Sequence, residues 1–329
     1  YFSTFSARPV EPLLWGLGFL VLCIVVVVRG VSQGIEKVSK VLMPLLFLLL
    51  AGLVVYSVTR PGAGEGLRFL FGIDPARLSG DTLVGALGQA FFSLSVGMGI
   101  MVTYGSYVPK SENLAKSAGW ICALDTLVAV MAALAIVPVV MITQGEEGLG
   151  MGGGFAFISL PAMFAELPGG RFFGMAFFAL LFLAALTSAI SILESLVAFL
   201  TEEFHLSRAR AAIGLSVPMA LLSAGYSLSQ SAGRGINLPW FDFKNGMQML
   251  PMNAVMEKFT DNLMIPLGAL CFCLFVGWVW GTKAAGQEIA GEHGLRRMQK
   301  PWAFAVRFLA PLVIVVILYF TLGMGEGLS

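Results

Sequence analysis

The chain has 329 residues, of which 57% are hydrophobic and 12% charged. Soluble domains carry about 25% charged residues, so a water-soluble enzyme, a disordered chain and a nucleic-acid binder are poor readings. The net charge of +1, from 20 Lys and Arg against 19 Asp and Glu, gives no basic field for a polyanion. The composition is that of a polytopic membrane protein. The chain opens on Tyr1, not Met, and runs into an apolar span with no basic signal-peptide region, so it reads as a piece of something longer. Cys23, Cys122, Cys271 and Cys273 lie in apolar runs without metal or redox spacing and read as small buried hydrophobes.

A bilayer core takes about 20 apolar residues per helix. Spans of that kind run over 11–28, 36–59, 83–107, 115–143, 170–201, 207–225, 257–281 and 301–323. One set of connections carries Arg29, Lys37, Lys40, Lys110, Lys116, Arg208, Arg210, Lys283, Arg296, Arg297 and Lys300. The other carries Arg8, Arg60, Arg68, Arg77, Arg171, Arg234 and Lys244. The first set is richer in shorter loops, which places it in the cytoplasm and residue 1 and the C-terminus outside. Two outer connections are long. In 144–169, Gly148, Gly150 and Gly152–Gly154 lack the Lys and preceding strand of a phosphate-binding loop; a flexible loop leading to a short helix on the outer face is expected. Residues 226–256, rich in Gly, Pro and Asn, read as loop. His205 and His293 have no partner spacing and read as solvated.

Polar groups inside the apolar spans are the informative ones. Asp125 and Glu194 are the two acids placed deep in a span. Each costs about 2.5–3.5 kcal/mol at mid-bilayer, so such residues face the protein interior and mark an ion or substrate path, or else hydrogen-bond helices together. Along 170–201, Ala184, Thr187, Ser188 and Ser191 recur at i, i+3, i+4 and i+7 on one helix face, which Glu194 and Ser195 extend. Small residues allow close helix packing; hydroxyl oxygens also suit a hard cation. The most irregular span is 83–107. Gly97 and Gly99, preceded by Ser93 and Ser95, weaken a helix in mid-membrane by about 1 kcal/mol per Gly. Non-helical backbone at that depth is tolerated only where it is buried or lines a cavity.

These residues carry a resemblance. The run from Gly88 to Gly99, Gly-Gln-Ala-Phe-Phe-Ser-Leu-Ser-Val-Gly-Met-Gly, followed by Thr103-Tyr104-Gly105-Ser106-Tyr107, resembles the neurotransmitter:sodium symporter family, specifically its leucine-transporter-like bacterial amino-acid transporters. So do the run from Arg29 to Lys37 followed by Met43-Pro44, the run Ala184-Ala185-Leu186-Thr187-Ser188, and Phe157–Ala162 in the long loop. The resemblance extends along essentially the whole chain. It implies an all-α membrane protein with the leucine-transporter-type inverted-repeat fold, known for a broken helix whose ends hold substrate and ion. The spans then correspond to family helices four to eleven, and helices one to three are absent. Residues 1–329 form one transmembrane domain: 11–59 the remainder of the first repeat, 83–281 the second, and 301–323 an extra helix.

By the same resemblance, the break in the sixth helix holds the substrate. Phe92 is the aromatic lid, Ser93 a sodium ligand, Ser95 a contact, and Gly97, Met98 and Gly99 line the side-chain pocket. Asp125 joins Ser93 in a first sodium site, where the family often has Asn; its carboxylate implies that chloride is not required. Ala184, Thr187 and Ser188 form a second sodium site, and Ile192 touches the substrate side chain. Glu257 is the outer acidic gate, with Asp261 as the alternative, and Glu202 the inner one, supported by Tyr107. Gly34 and Pro44 bracket a stretch that unwinds to admit water, or else form an ordinary helix entry with a proline kink. The implied function is sodium-coupled symport of an amino acid, of apolar class given flexible Met98, across a bacterial inner membrane with two sodium ions; the chain alone is expected not to transport. An ion channel and a transporter of another family with the same fold are the alternatives. No His-Glu-x-x-His motif, Ser-His-Asp set or paired Cys nucleophile supports an enzyme.

Overall fold

The computed structural model describes residues 2–72, 79–145, 156–157, 160–166, 168–229, 236–243, 246–290 and 299–322. The elements are α1 (Phe2–Ser6), α2 (Glu11–Val28), α3 (Val31–Val58), α4 (Ala63–Phe71), α5 (Gly80–Ser93), α6 (Ile100–Ser106), α7 (Leu114–Thr143), α8 (Leu160–Glu166), α9 (Gly170–Glu203), α10 (Arg208–Ser229), β1 (Asn237–Asp242), β2 (Gly246–Pro251), α11 (Met252–Ile289) and α12 (Gln299–Thr321). Among the described residues, seven helices are long and apolar enough to cross a membrane: α2, α3, α7, α9, α10, α11 and α12. The expected span 83–107 is present as two shorter helices, α5 and α6, with residues 94–99 non-helical between them. The glycine run of 148–154, His293, Tyr1 and the C-terminus lie outside the described residues.

Local chemistry sets the element ends. Ser79 and Thr82 form a reciprocal cap at the start of α5, and the Asn113 side chain accepts from Lys116 N at 2.9 Å to open α7. The turn into α3 depends on Gly30, at φ +86°, where a side chain would be strained. The first turn of α3, Val31–Glu36, is a wide π-turn, with Gly34 N and Ile35 N both donating to Gly30 O at 3.0 and 3.1 Å. Gly34 has a packing reason too: a Cβ there would lie 2.1 Å from Val26 O of α2. Pro44 sits inside α3, and the stretch from Gly34 to Pro44 is wound.

Two buried clusters hold the bundle. One joins Leu50, Leu53 and Tyr56 of α3, Ala135, Val139 and Val140 of α7, Leu160 and Phe164 of α8, and Phe177 of α9. The other joins Cys23 and Val27 of α2, Ile35 of α3, Leu186, Ile190, Leu193 and Val197 of α9, and Ala211 and Ala212 of α10. Lipid is as apolar as these side chains, so close packing, not water exclusion, drives the contacts. Gly66 of α4 fits against Pro138 of α7, where a Cβ would meet Pro138 Cα at 2.6 Å. Tyr56 stacks on Phe173 at 3.7 Å, its hydroxyl donates to Pro168 O at 3.2 Å, and the Arg60 guanidinium lies 4.5 Å from its ring centre. The short helix expected in this connection is α8, which buries Leu160 and Phe164 in the first cluster.

The loop reading of 226–256 is corrected. β1 and β2 pair antiparallel, Leu238 opposite Leu250 and Trp240 opposite Gln248. Met252 N donates to Ile236 O at 2.8 Å, tying the hairpin base to the start of α11. The residues between α3 and α5 likewise include a helix, α4, where the sequence reading has only a connection.

Candidate functional site

The non-helical segment between α5 and α6 is built from backward hydrogen bonds, a left-handed turn and one long-range contact. Leu94 N, Ser95 N and Val96 N still bond backward to Ala90 O, Phe92 O and Phe91 O. The chain then turns through Ser95 at φ +54°, Gly97 at φ +95° and Gly99 at φ +78°. A positive φ is uncommon for a residue other than glycine. Ser95 is held there by its neighbours, which is the kind of backbone strain that clusters at binding sites. A buried tertiary contact fixes the turn: a Cβ on Gly97 would lie 2.2 Å from Ile265 O of α11, and one on Gly268 would lie 2.4 Å from Gly97 O. Two bare backbones therefore pass directly against each other. Gly99 O accepts from Thr103 N at 3.0 Å, the first bond of α6.

This geometry makes a prediction. The left-handed backbone alone makes Gly97→Ala cost about 1–2 kcal/mol, and its methyl collides with the carbonyl of Ile265. Gly99→Ala carries the backbone strain into open space. In thermal melts of the purified full-length protein, Gly97→Ala is expected to lower the midpoint well beyond Gly99→Ala. Equal shifts would contradict the close approach.

The break lies beside α7. The Ser93 hydroxyl donates to Asp125 Oδ2, which brings together the two residues expected to share the first cation site. Both are half-buried. Among the described residues, no basic side chain forms an ion pair with Asp125. Phe92 is 52% exposed, and Ser95, Gly97, Met98 and Gly99 are half-buried along the segment.

The hydroxyl stripe of α9 is present. Thr187 Oγ1 donates to Ala184 O at 2.9 Å, Ser191 Oγ to Thr187 O at 3.0 Å and Ser195 Oγ to Ile192 O at 2.8 Å. The Tyr104 hydroxyl of α6 donates to Ser191 Oγ at 2.8 Å, docking the second half-helix on this stripe. Ser188 and Ile192 are exposed, so the face that would meet a cation and a substrate is open in this chain. Among the described residues, no group of three or more His, Cys, Asp or Glu could hold a metal ion. The oxygen donors present are hydroxyls, one carboxylate and backbone carbonyls, which suit a hard monovalent or divalent cation over a soft one.

At the other end of α6 lies a polar cluster that the sequence shows only in part. Glu194 of α9 is 0% exposed. Its Oε1 accepts from the Tyr107 hydroxyl at 2.7 Å, and its Oε2 pairs with Arg208 Nη2 of α10. Arg208 Nε donates to Val27 O of α2 at 2.7 Å. Tyr107 was expected beside Glu202; its hydrogen bond instead goes to Glu194, and Glu202 is exposed, its carbonyl 2.9 Å from His205 Nδ1. In the sequence, Arg208, the partner of Glu194, stands among the loop charges. Its place at the first residue of α10 is a signal only once α9 and α10 are seen to be antiparallel neighbours.

At the opposite end of the bundle, Glu257 Oε1 accepts from the Tyr226 hydroxyl at 2.6 Å. Glu257 and Asp261 are both exposed, one turn apart across a π-turn spanning Lys258–Met264. Neither pairs with a basic side chain among the described residues.

Residues 11–326 match the sequence profile of the sodium:neurotransmitter symporter family. A sodium-dependent transporter of Bacillus subtilis is 33% identical, covering 98% of this chain and 69% of that protein. A sodium-dependent transporter of Haemophilus influenzae is 32% identical, covering 94% of this chain and 65% of that protein. The crystal structure of MhsT in complex with L-phenylalanine superposes with a TM-score of 0.81 at 37% identity, covering 98% of this chain and 70% of MhsT. The chain thus spans about two thirds of the length of these relatives.

Proposed function

We propose, because the chain belongs to the sodium:neurotransmitter symporter family, that its full-length protein is a sodium-coupled symporter of amino acids, binding substrate at the break between α5 and α6. The carrying observation is the Ser93–Asp125 pair beside the left-handed turn at Ser95, Gly97 and Gly99. An acidic oxygen, a hydroxyl and backbone groups freed from helical bonding come together there. Freed N–H groups at the start of α6 suit a substrate carboxylate, and freed carbonyls at the end of α5 suit cations. MhsT was solved with L-phenylalanine, and half-buried Met98 fits the same class of apolar amino acid.

Two sodium ions are proposed. The first is held by Ser93 and Asp125, and the second by Ala184 O, Thr187 and Ser188 on α9. Exposed Ser188 and Ile192 face further helices of the longer protein in this reading. One charge moved through 100 mV yields about 2.3 kcal/mol, and a tenfold gradient about 1.4 kcal/mol. Two sodium ions together supply about 7 kcal/mol, enough for a large substrate gradient. Asp125 supplies the negative charge at the first site, so chloride is not needed. Glu257 serves the outer gate. The stretch from Gly34 to Pro44, wound in this structure, opens toward the second site in the inward-facing state. The membrane is the bacterial inner membrane, with the Arg29–Lys40 and Lys283–Lys300 connections inside.

Binding of radiolabelled apolar amino acids to the purified full-length protein, with sodium against potassium, tests this reading. Sodium-dependent saturable binding is expected, and Ser188→Ala is expected to raise the sodium needed for half-maximal binding about tenfold, the loss of one ligand worth about 1.4 kcal/mol. Binding indifferent to sodium, or an unchanged sodium requirement in Ser188→Ala, would remove the site assignment.

A further inference from the structure

We propose that Arg307 and Lys300 hold the phosphate of an anionic phospholipid headgroup in the groove where α12 crosses α11. Arg307 lies within a membrane-spanning helix, eight residues from its first residue, Gln299. At 1.5 Å per residue that is about 12 Å. A charge so placed calls for a partner. Its site is built by two facing irregularities: α12 widens into a π-turn over Ala305–Leu309, and α11 does the same over Phe275–Gly281. Such turns inside helices recur at functional positions.

The groove fixes one edge of the guanidinium. Buried Gly277 lets the Arg307 stem approach, a Cβ there lying 3.2 Å from Arg307 Cγ. Arg307 Nε donates to Gly277 O at 2.8 Å, and its guanidinium carbon lies 5.8 Å from the Trp278 ring centre. The Nη groups have no hydrogen-bond partner among the described residues, and no carboxylate there pairs with Arg307. Around it, Trp278 is 59% exposed, with Phe304 and Phe308 also open, and Trp278 and Phe308 pack edge to face. Rings left open on a membrane-crossing helix are placed to meet lipid, and Trp is enriched at the polar edges of a bilayer.

The remaining N–H fork is left without a protein partner among the described residues, on a stem long enough to snorkel toward a bilayer edge. Lys300 lies seven residues earlier, two turns back on the same face, and is exposed. The acceptor available at the bilayer edge is lipid phosphate, whose geometry matches an arginine fork. Two cations for one headgroup favour a net-anionic lipid over a zwitterionic one, whose own cation would be repelled.

The test uses the full-length protein in phosphatidylcholine bilayers doped with spin-labelled phosphatidylglycerol or spin-labelled phosphatidylcholine. The motionally restricted lipid fraction is read by electron paramagnetic resonance. The protein is expected to select phosphatidylglycerol. Arg307→Gln and Lys300→Gln are each expected to lower that selectivity, by up to about fivefold for one basic group near the surface, and Arg307→Lys to keep most of it. Should Arg307→Gln fail to fold, the Lys300→Gln and Arg307→Lys pair still decides. Unchanged selectivity in both glutamine variants, displacement of the restricted lipid by inorganic phosphate at matched ionic strength, or a change of oligomeric state in Arg307→Gln that points to a second copy on this face would each overturn the proposal.

Discussion

Asp125→Asn in the full-length protein is expected to raise the sodium concentration for half-maximal uptake by at least about tenfold, equivalent to about 1.4 kcal/mol. The magnitude follows from the environment. Asp125 sits in a helix of high mean hydropathy. Ser93 gives it one hydroxyl donor, and no basic side chain among the described residues neutralises it. A carboxylate in that setting is costly without a cation beside it, so cation binding and carboxylate charge stabilise each other. Asparagine keeps the shape and removes the charge, which isolates the electrostatic part. Ser93→Ala removes a neutral ligand and is expected to shift the sodium requirement less. Uptake by the unaltered protein is expected to be indifferent to replacement of chloride by gluconate. A chloride requirement in the unaltered protein, or an unchanged sodium requirement in Asp125→Asn, contradicts the proposed role.

The second large effect is expected of Arg208→Met. Glu194 is wholly buried and depends on Arg208 and Tyr107. Removing one partner of a buried ion pair costs about 3–5 kcal/mol, because the other charge is left uncompensated. Arg208 also satisfies Val27 O at 2.7 Å, so α2, α6, α9 and α10 share one cluster at this end of the bundle. Replacing both charges with methionine removes the uncompensated group. The Glu194→Met/Arg208→Met double variant is therefore expected to recover most of the loss, leaving a coupling of several kcal/mol between the two positions. Thermal and denaturant unfolding of the four proteins in detergent measures this. Additive losses would mean that the pair contributes no mutual stabilisation.

How much of this was legible in the sequence depends on which physical signal each feature leaves. The seven continuous spans follow from apolar length alone, and the eighth was flagged as irregular by Gly97 and Gly99. The consequence of those glycines is sharper than propensity implies: Gly97 is required by the backbone of Ile265, a long-range contact with no local trace. Asp125 and Glu194 stood out because acids are so few. Their partners were unevenly visible. Ser93 lies in the motif, whereas Arg208 lies at a helix start and was counted with loop charges. The sequence reading puts Tyr107 beside Glu202, whereas its hydroxyl bonds to Glu194, buried in the bundle, and Glu202 is exposed. The hairpin was missed because Gly, Pro and Asn dominate 226–256. Exposure alternates along Asn237–Asp242 and Gly246–Pro251, but the sequence carries no matching apolar–polar alternation, since Met247 and Met249 are exposed and Gln248 is half-buried. Arg307 was missed because one charge is diluted in an apolar window. The π-turns leave no sequence signature, since one extra residue shifts the phase of an apolar stripe and these helices, apolar on every side, have no stripe to shift.

The most direct measurement of the central claim is uptake of a radiolabelled apolar amino acid into proteoliposomes containing the full-length protein, with an imposed inward sodium gradient and chloride replaced by gluconate. Accumulation above the equilibrium level that collapses when sodium is equalised across the membrane is the expected result. Flux that only equilibrates, or accumulation that does not depend on the sodium gradient, would contradict sodium-coupled symport.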